Sequence, residues 1–456
     1  MAWNARSWLL GFAGLLIGAS ALAQAAVEAT AQAAQAPASA VLTHPGRLPL
    51  EAINAADTAW MIVASALVLL MTLPGVALFY AGMVRRKNVL NTMASVIGIA
   101  AVVTLLWFAV GYSWAFTPGN GFIGGGERMW FAGFDYDKLT RQVAVSHIAP
   151  NIPEAVFAMF QLGFAVITPA LIVGSLVERM RFSALLWFAG LWSLVVYVPI
   201  AHWVWEPGGW LAQRGALDFA GGSVVHINAG VAGLVCAWML GPRQGYASEP
   251  FEPFNLAMTM SGAGLLWIGW FGFNAGSAMA ADGRAGLAFL ATHLAAAAGA
   301  LGWMAAEWFV RRRPSLLGLC SGAVAGLVAI TPASGYVGVR AALLIGLVAG
   351  LACYWGATGL KRLLKADDAL DVFGVHGVGG LVGCVMTGLF ADPAIDAGPP
   401  GRVLVQLLDA GAVIAWSACG TALVLLVTRA LVRLRVEEVA EHNGLDIAQH
   451  RERVAL

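Results

Sequence analysis

Two histidines stand inside apolar runs where a polar side chain is costly. His226 falls in DFAGGSVVHIN, eight residues after Asp218, and His376 falls in DVFGVHGVGG, five residues after Asp371. An imidazole at membrane depth can relay a proton, or hold a small polar molecule on one ring nitrogen while a neighbour fixes the other. The alternative for each is a hydrogen-bonded packing residue. Two readings are also open for Asp218: it precedes Phe-Ala-Gly-Gly-Ser, so it can cap a helix, take part in the chemistry, or do both. Asp371 holds the same place on its own run and is read chiefly as a cap. His202 and His293 share the apolar setting without a partner motif and are read as packing or rim residues.

Aromatic residues form a second layer. FQLGF sets Phe160 and Phe164 one helical turn apart, and WIGWFGFNAGS aligns Phe273 with Ser277 in the same way. Trp205 ends another apolar run. Any one of these can belong to an interfacial aromatic belt. A rim of Trp205, Phe160 and Ser277 would suit a small cation, through attraction to the ring faces and one hydroxyl acceptor.

The elements that position these residues follow from composition. The 456-residue chain is 59% hydrophobic and 11% charged, with a mean hydropathy of +0.76. These values place it among polytopic membrane proteins. A net charge of +1, with arginines in short clusters between apolar runs, argues against a nucleic-acid partner. The 55 glycines recur within the runs, as close helix packing in lipid requires. All five cysteines lie in apolar stretches without a C-x-x-C pair and are read as buried, idle thiols.

Residues 1–23 carry Arg6, the run WLLGFAGLLIGA and Ala-Leu-Ala, the pattern of a cleaved signal peptide. Residues 24–56, rich in Ala, Gln, Thr and Pro, are expected to be a mobile extracytoplasmic leader. Residues 57–430 contain eleven apolar runs, and residues 431–456 form a charged tail whose default reading is a solvated cytoplasmic end. Alternate loops hold the basic clusters, at Arg85, Arg86 and Lys87, at Arg179 and Arg181, at Arg243, at Arg311 to Arg313, at Lys361, Arg362 and Lys365, and at Arg429, Arg433 and Arg435. Those loops face the cytoplasm, which puts the mature amino terminus outside and the carboxyl terminus inside. His226 then lies about 12 Å beyond Asp218 in a hydrocarbon core about 30 Å thick, and His376 about 7 to 8 Å in from the other side. Opposed entry fits an inverted five-helix repeat plus a final helix, with a site at the repeat interface.

Taken in order, PGVALFYAGMVRRKN, FQLGF, ITPALIVGSLVERM, GALDFAGGSVVHIN, WIGWFGFNAGSA, CSGAVAGLVAITPASGYV and DVFGVHGVGGLVGCVMTGLF resemble ammonium transporters of the Amt/Rh family, of the bacterial Amt type, from about Ala56 to the carboxyl terminus. The resemblance implies an all-α polytopic membrane protein of eleven transmembrane helices, with a narrow pore in each subunit of a homotrimer in the bacterial inner membrane. It implies ammonium recruitment at Trp205, Phe160 and Ser277 with Asp218 near the entry, a gate of Phe164 and Phe273, and pore histidines His226 and His376 backed by Gln161 and Trp270. It implies no cofactor, and closure by a PII-type signalling protein at the tail, whose GLD turn and following histidine match the family's regulatory tail. One departure is WEPGGW, where the family has a plain glycine run. Glu206 and an extra residue precede Asp218 here, and Glu206 is read as decorating a loop rather than attracting cations.

Three rivals differ in class. A membrane-embedded enzyme would need a metal motif such as HExxH, or a histidine linked to Ser321, and the sequence offers neither. An ammonium sensor of the same fold would be expected to carry an appended signalling domain. A neutral gas channel of the Rh type would be expected to lack the tryptophan rim that Trp205 supplies.

Overall fold

Each apolar run becomes one helix in the computed structural model, which describes residues 42–455. The signal peptide read at residues 1–23 lies outside the described residues. The helices are α1 (Ala55–Met83), α2 (Arg86–Phe116), α3 (Glu154–Leu176), α4 (Phe182–Trp205), α5 (Gly222–Leu240), α6 (Leu256–Gly276), α7 (Gly283–Arg311), α8 (Leu316–Ile330), α9 (Val339–Leu363), α10 (Phe373–Phe390) and α11 (Val403–Leu431). Ten are long enough to cross a bilayer. The 15 residues of α8 span about 22 Å, short of a core about 30 Å thick. Nearly all of α8 is buried in protein, so its ends need no lipid-facing length.

Successive spans alternate in direction, so α5 starts at the face where α4 ends in Trp205, whereas α10 starts at the opposite face. The helices that carry the candidate site lie innermost. In α3, 89% of the apolar window is buried and in α5 83%, against 33% in α2, which turns its flank outward. An apolar helix without a polar stripe is expected at such a centre. Pro74 lacks an amide hydrogen, and α1 accommodates it by widening to a π-helical stretch over Met71–Val76.

Three features depart from the sequence expectations. The described residues of the leader are not featureless: β1 (Gly46–Pro49) joins β2 (Tyr136–Asp137) and β3 (Gln142–Val145) in an antiparallel sheet of order β1-β3-β2. Gly46 sits opposite Val145 and Pro49 opposite Gln142, and Asn54 then caps α1 by accepting from the amides of Ala56 and Asp57. Four cysteines are buried but Cys419 is exposed on α11. His293 is also exposed on α7, beside Trp267 and Phe271.

Candidate functional site

The site begins with the way α5 and α10 start. The Asp218 carboxylate accepts from the amides of Gly221, Gly222, Ser223 and Val224 at 2.6 to 3.0 Å, and from the Ser223 hydroxyl at 2.9 Å. These amides are the orphan donors of a helix start, and one buried carboxylate satisfies all four. On α10 the cap is Asp368, which accepts from the Phe373 amide at 2.8 Å and the Ser175 hydroxyl at 2.5 Å. Asp371, the residue expected in that role, instead pairs with Lys361 at 2.7 Å. Its backbone is left-handed, with φ of 58°, which turns the side chain off the helix start. Asp368 stands eight residues before His376, as Asp218 stands eight before His226. Both segments then wind as π-helix through the histidine, over Gly222–Ile227 and Phe373–Gly377.

The two helices meet beside the histidines. A Cβ on Gly230 would lie 2.3 Å from the Gly377 nitrogen, and one on Gly380 would lie 3.0 Å from the Ile227 nitrogen. Only glycine permits that approach. It brings the buried imidazoles of His226 and His376 together with Nδ1 atoms 3.3 Å apart and ring centroids 5.3 Å apart. One Nδ1 must donate and the other accept, so one ring is the Nδ1–H tautomer and its partner the Nε2–H tautomer. The pair is left with one donor and one acceptor at its Nε2 atoms.

A line of rings leads from this pair to the Trp205 face. His226 stacks on Trp270 at 5.4 Å and lies 6.1 Å from Phe273, which stacks on Phe164 at 4.1 Å. Trp270 is fixed by donating to the Thr331 hydroxyl at 2.8 Å. Beyond the phenylalanines opens a cavity of about 240 Å³ whose walls include Phe116, Gln161, Phe164, Trp205, Asp218 and Ser277. Trp205 donates its indole N–H to the Asp218 carbonyl at 2.8 Å, packs edge-on to Phe164 at 5.5 Å and stacks on Phe116 at 6.5 Å. The Ser277 hydroxyl donates to the Phe273 carbonyl at 2.9 Å, which keeps its own lone pairs available. Among the described residues the buried Gln161 Oε1 has no hydrogen-bond partner, a second acceptor in the wall.

Phe160 is not among the residues lining this cavity. It is fully buried behind it, edge-on to Phe164 at 5.0 Å and against Gly276. Phe116 is a wall the sequence did not single out, because the end of an apolar run shows no rotational phase. Arg284 is another lining residue that was missed. It lies 4.8 Å from the Phe219 ring and 5.1 Å from that of Tyr336, and pairs with Asp396 at 3.3 Å.

The opposite face is a network of ion pairs. Arg85 meets Glu178 at 2.7 Å, while Arg179 and Arg243 meet Asp367 at 2.9 and 2.8 Å. Burial pushes both carboxyls up, but for Glu178 the Arg243 and Arg85 guanidinium groups, and for Asp367 those of Arg243 and Arg179, more than offset it and hold them below the ordinary carboxylate range. The tail docks here instead of lying free in solvent. Its helix α12 (Glu438–Asn443) offers Glu441 to Arg435 at 2.9 Å and to the Gln244 amide at 2.7 Å. After Gly444, Asp446 accepts from the Asn91 amide at 2.8 Å, and His450 reaches the Asn91 side chain at 3.0 Å.

With this geometry in hand, similarity to known proteins is informative. A family model described as Ammonium Transporter Family matches residues 59–455. The ammonium transporter of Bacillus subtilis (strain 168) is 46% identical over 406 residues, 87% of this chain and 98% of that protein. That of Aquifex aeolicus (strain VF5) is 48% identical over 409 residues, 88% and 93% of the two chains. Among solved structures, Candida albicans Mep2 matches with a TM-score of 0.79 at 39% identity, covering 86% of this chain and 89% of that one. A structure named Sensor Amt Protein matches with a TM-score of 0.79 at 28% identity, covering 87% and 98%.

Proposed function

Because this chain belongs to the ammonium transporter family, we propose that it captures ammonium in the cavity beside Trp205, removes one proton, and passes ammonia between Phe164 and Phe273 to the His226–His376 pair. It is a multi-span ammonium transporter rather than an enzyme. The observation that carries the finer reading is the stacked Phe164–Phe273 pair at 4.1 Å, lying between the cavity and the imidazoles. A charged side chain at the bilayer centre costs about 2.5–3.5 kcal/mol on translocon scales, and neutral ammonia escapes a penalty of that kind. The cavity, by contrast, suits the cation: two ring faces and the acceptors of Gln161 and Ser277 replace part of its water shell.

Beyond the gate, one Nε2 donor and one Nε2 acceptor can hand ammonia along the pore, or carry the released proton separately. Basic residues at the tail face support an outside-facing Trp205 cavity in the inner membrane, by the rule that positive loops stay in the cytoplasm. A homotrimer, and closure by a PII-type protein on the docked tail, complete the proposal on the family resemblance. The fold alone does not separate transporter from sensor. The 46% identity to a transporter against 28% to the sensor structure favours transport.

Uptake into proteoliposomes tests this reading. Trp205→Ala should raise the half-saturating ammonium concentration about tenfold, the weight of one desolvated cation–π contact. Phe273→Ala should let potassium follow ammonium. Unchanged half-saturation in the first variant together with unchanged selectivity in the second would defeat the proposal.

A further inference from the structure

Glu206 and His202, read from sequence as loop decoration and packing, belong to one buried arrangement behind the Trp205 cavity. His202 is fully buried, and each of its ring nitrogens faces a backbone carbonyl: Nδ1 lies 3.0 Å from the Ala115 oxygen and Nε2 2.7 Å from the Asn120 oxygen. A carbonyl oxygen only accepts. A neutral imidazole has one N–H and one lone pair, so whichever tautomer it adopts, a lone pair would face a carbonyl oxygen. The imidazolium, with two N–H groups, satisfies both.

A buried cation requires a counter-charge. Glu206 stands one turn further on and is 2% exposed. It receives the His147 ring Nε2 at 3.1 Å on one oxygen and the Gly208 amide on the other. Burial pushes its carboxyl up, but the hydrogen bonds from His147 and the Gly208 amide keep it below the ordinary value. The other titratable groups nearby are Glu154 and the Arg128 and Tyr112 that hold it at 3.0 and 2.9 Å.

The two carbonyls matter because of what their chain carries. Ala115 precedes Phe116, and Asn120 lies in the turn that follows; Trp205 is three residues beyond His202. Phe116 and Trp205 stack within 13° of parallel, and both line the cavity. His202 therefore fastens the backbone behind one aromatic wall to the helix that bears the other. We propose that His202 is a positioning residue for ammonium capture, held as an imidazolium with Glu206 as its counter-charge, and that the double bond to Ala115 and Asn120 sets the Phe116–Trp205 wall. The capture role rests on the function proposed above.

Histidine nitrogen NMR on ¹⁵N-labelled protein in proteoliposomes reads the charge directly. At neutral pH one slowly exchanging ring with both nitrogens protonated is expected, absent in His202→Gln and weakened in Glu206→Gln. The two N–H groups of glutamine share one nitrogen and cannot replace donors on two separate ring nitrogens, so His202→Gln should also raise half-saturation about tenfold, the weight of one charge-assisted hydrogen bond, with a maximal rate that falls far less. A wild-type spectrum without such a ring overturns the imidazolium, whatever the variants do and even if His202→Gln does not fold. A normal half-saturation in His202→Gln, with Trp205→Ala impaired, overturns the positioning role alone. A normal half-saturation in Trp205→Ala overturns the capture site and the positioning role with it.

Discussion

The starts of α5 and α10 are built alike and surrounded differently. Each has an aspartate eight residues before its histidine, a π-helical stretch through that histidine, and a glycine four residues after it that touches the other helix. Asp218, however, is spent wholly on its own helix and the Ser223 hydroxyl, and its histidine faces Trp270 and Phe273. Asp368 binds Ser175 of α3, next in sequence to the Asp367 that anchors the arginine network. The shared parts set the histidine pair, and the unshared parts give its two sides different surroundings. One side is an aromatic cavity with free acceptors, the other a closed ionic lattice under a docked tail.

Removing the caps should have the largest effect. Asp218→Ala strands four buried amides at about 1–3 kcal/mol each, enough to abolish folded yield. Asp368→Ala strands fewer donors and should lower the thermal midpoint less. Asp371→Ala breaks one partly exposed pair with Lys361, worth about 1 kcal/mol or less. Thermal unfolding of the three variants in detergent ranks them, and an Asp371 variant as damaged as the Asp368 one would restore the pairing of Asp371 with Asp218.

The crossing comes next. Gly230→Ala drives a methyl to 2.3 Å from the Gly377 nitrogen and should cost about 1–3 kcal/mol while separating the histidines. Gly380→Ala meets its nearest atom at 2.8 Å and should be milder. Transport rates of the two variants, normalised to folded protein, check the order.

At the tail face the test is pH. The Glu178 and Asp367 carboxyls are held low, so the stability they contribute is present above the unfolded carboxylate value of about 4 and is lost only as pH falls through their lower folded values. The difference in melting temperature between wild type and Asp367→Asn should therefore stay level from neutral pH down to about 5. A difference that shrinks across that interval would mean these carboxyls are not held low. The smallest effect is expected for Ser277→Ala, which removes one acceptor worth about 0.5–1.5 kcal/mol and should raise half-saturation by tenfold at most.

Much of this was legible in the sequence. Apolar length alone marked all eleven spans, and depth counted from the helix ends brought His226 and His376 toward one level. What stayed hidden depends on contacts made across the chain. Asp371 was paired with Asp218 by its place at the start of a run, although counting back from each histidine finds Asp368. Phe160 shares a helical face with Phe164, yet its ring packs against Gly276 and Phe164 instead of lining the cavity. Glu206 reads as a loop charge because its partner His147 lies 59 residues away. The tail reads as solvated because the amides that Glu441 and Asp446 meet, those of Gln244 and Asn91, lie far away in sequence.

The most direct test of neutral passage is the transient current on a supported membrane of proteoliposomes after an ammonium pulse, read against potassium for wild type and His226→Ala. If the gate and histidines pass ammonia while the proton travels apart, wild type gives a current for ammonium and none for potassium, and His226→Ala gives a current for both. A wild-type current for potassium as large as that for ammonium would show that bare cations cross between Phe164 and Phe273, and would contradict the passage of neutral ammonia.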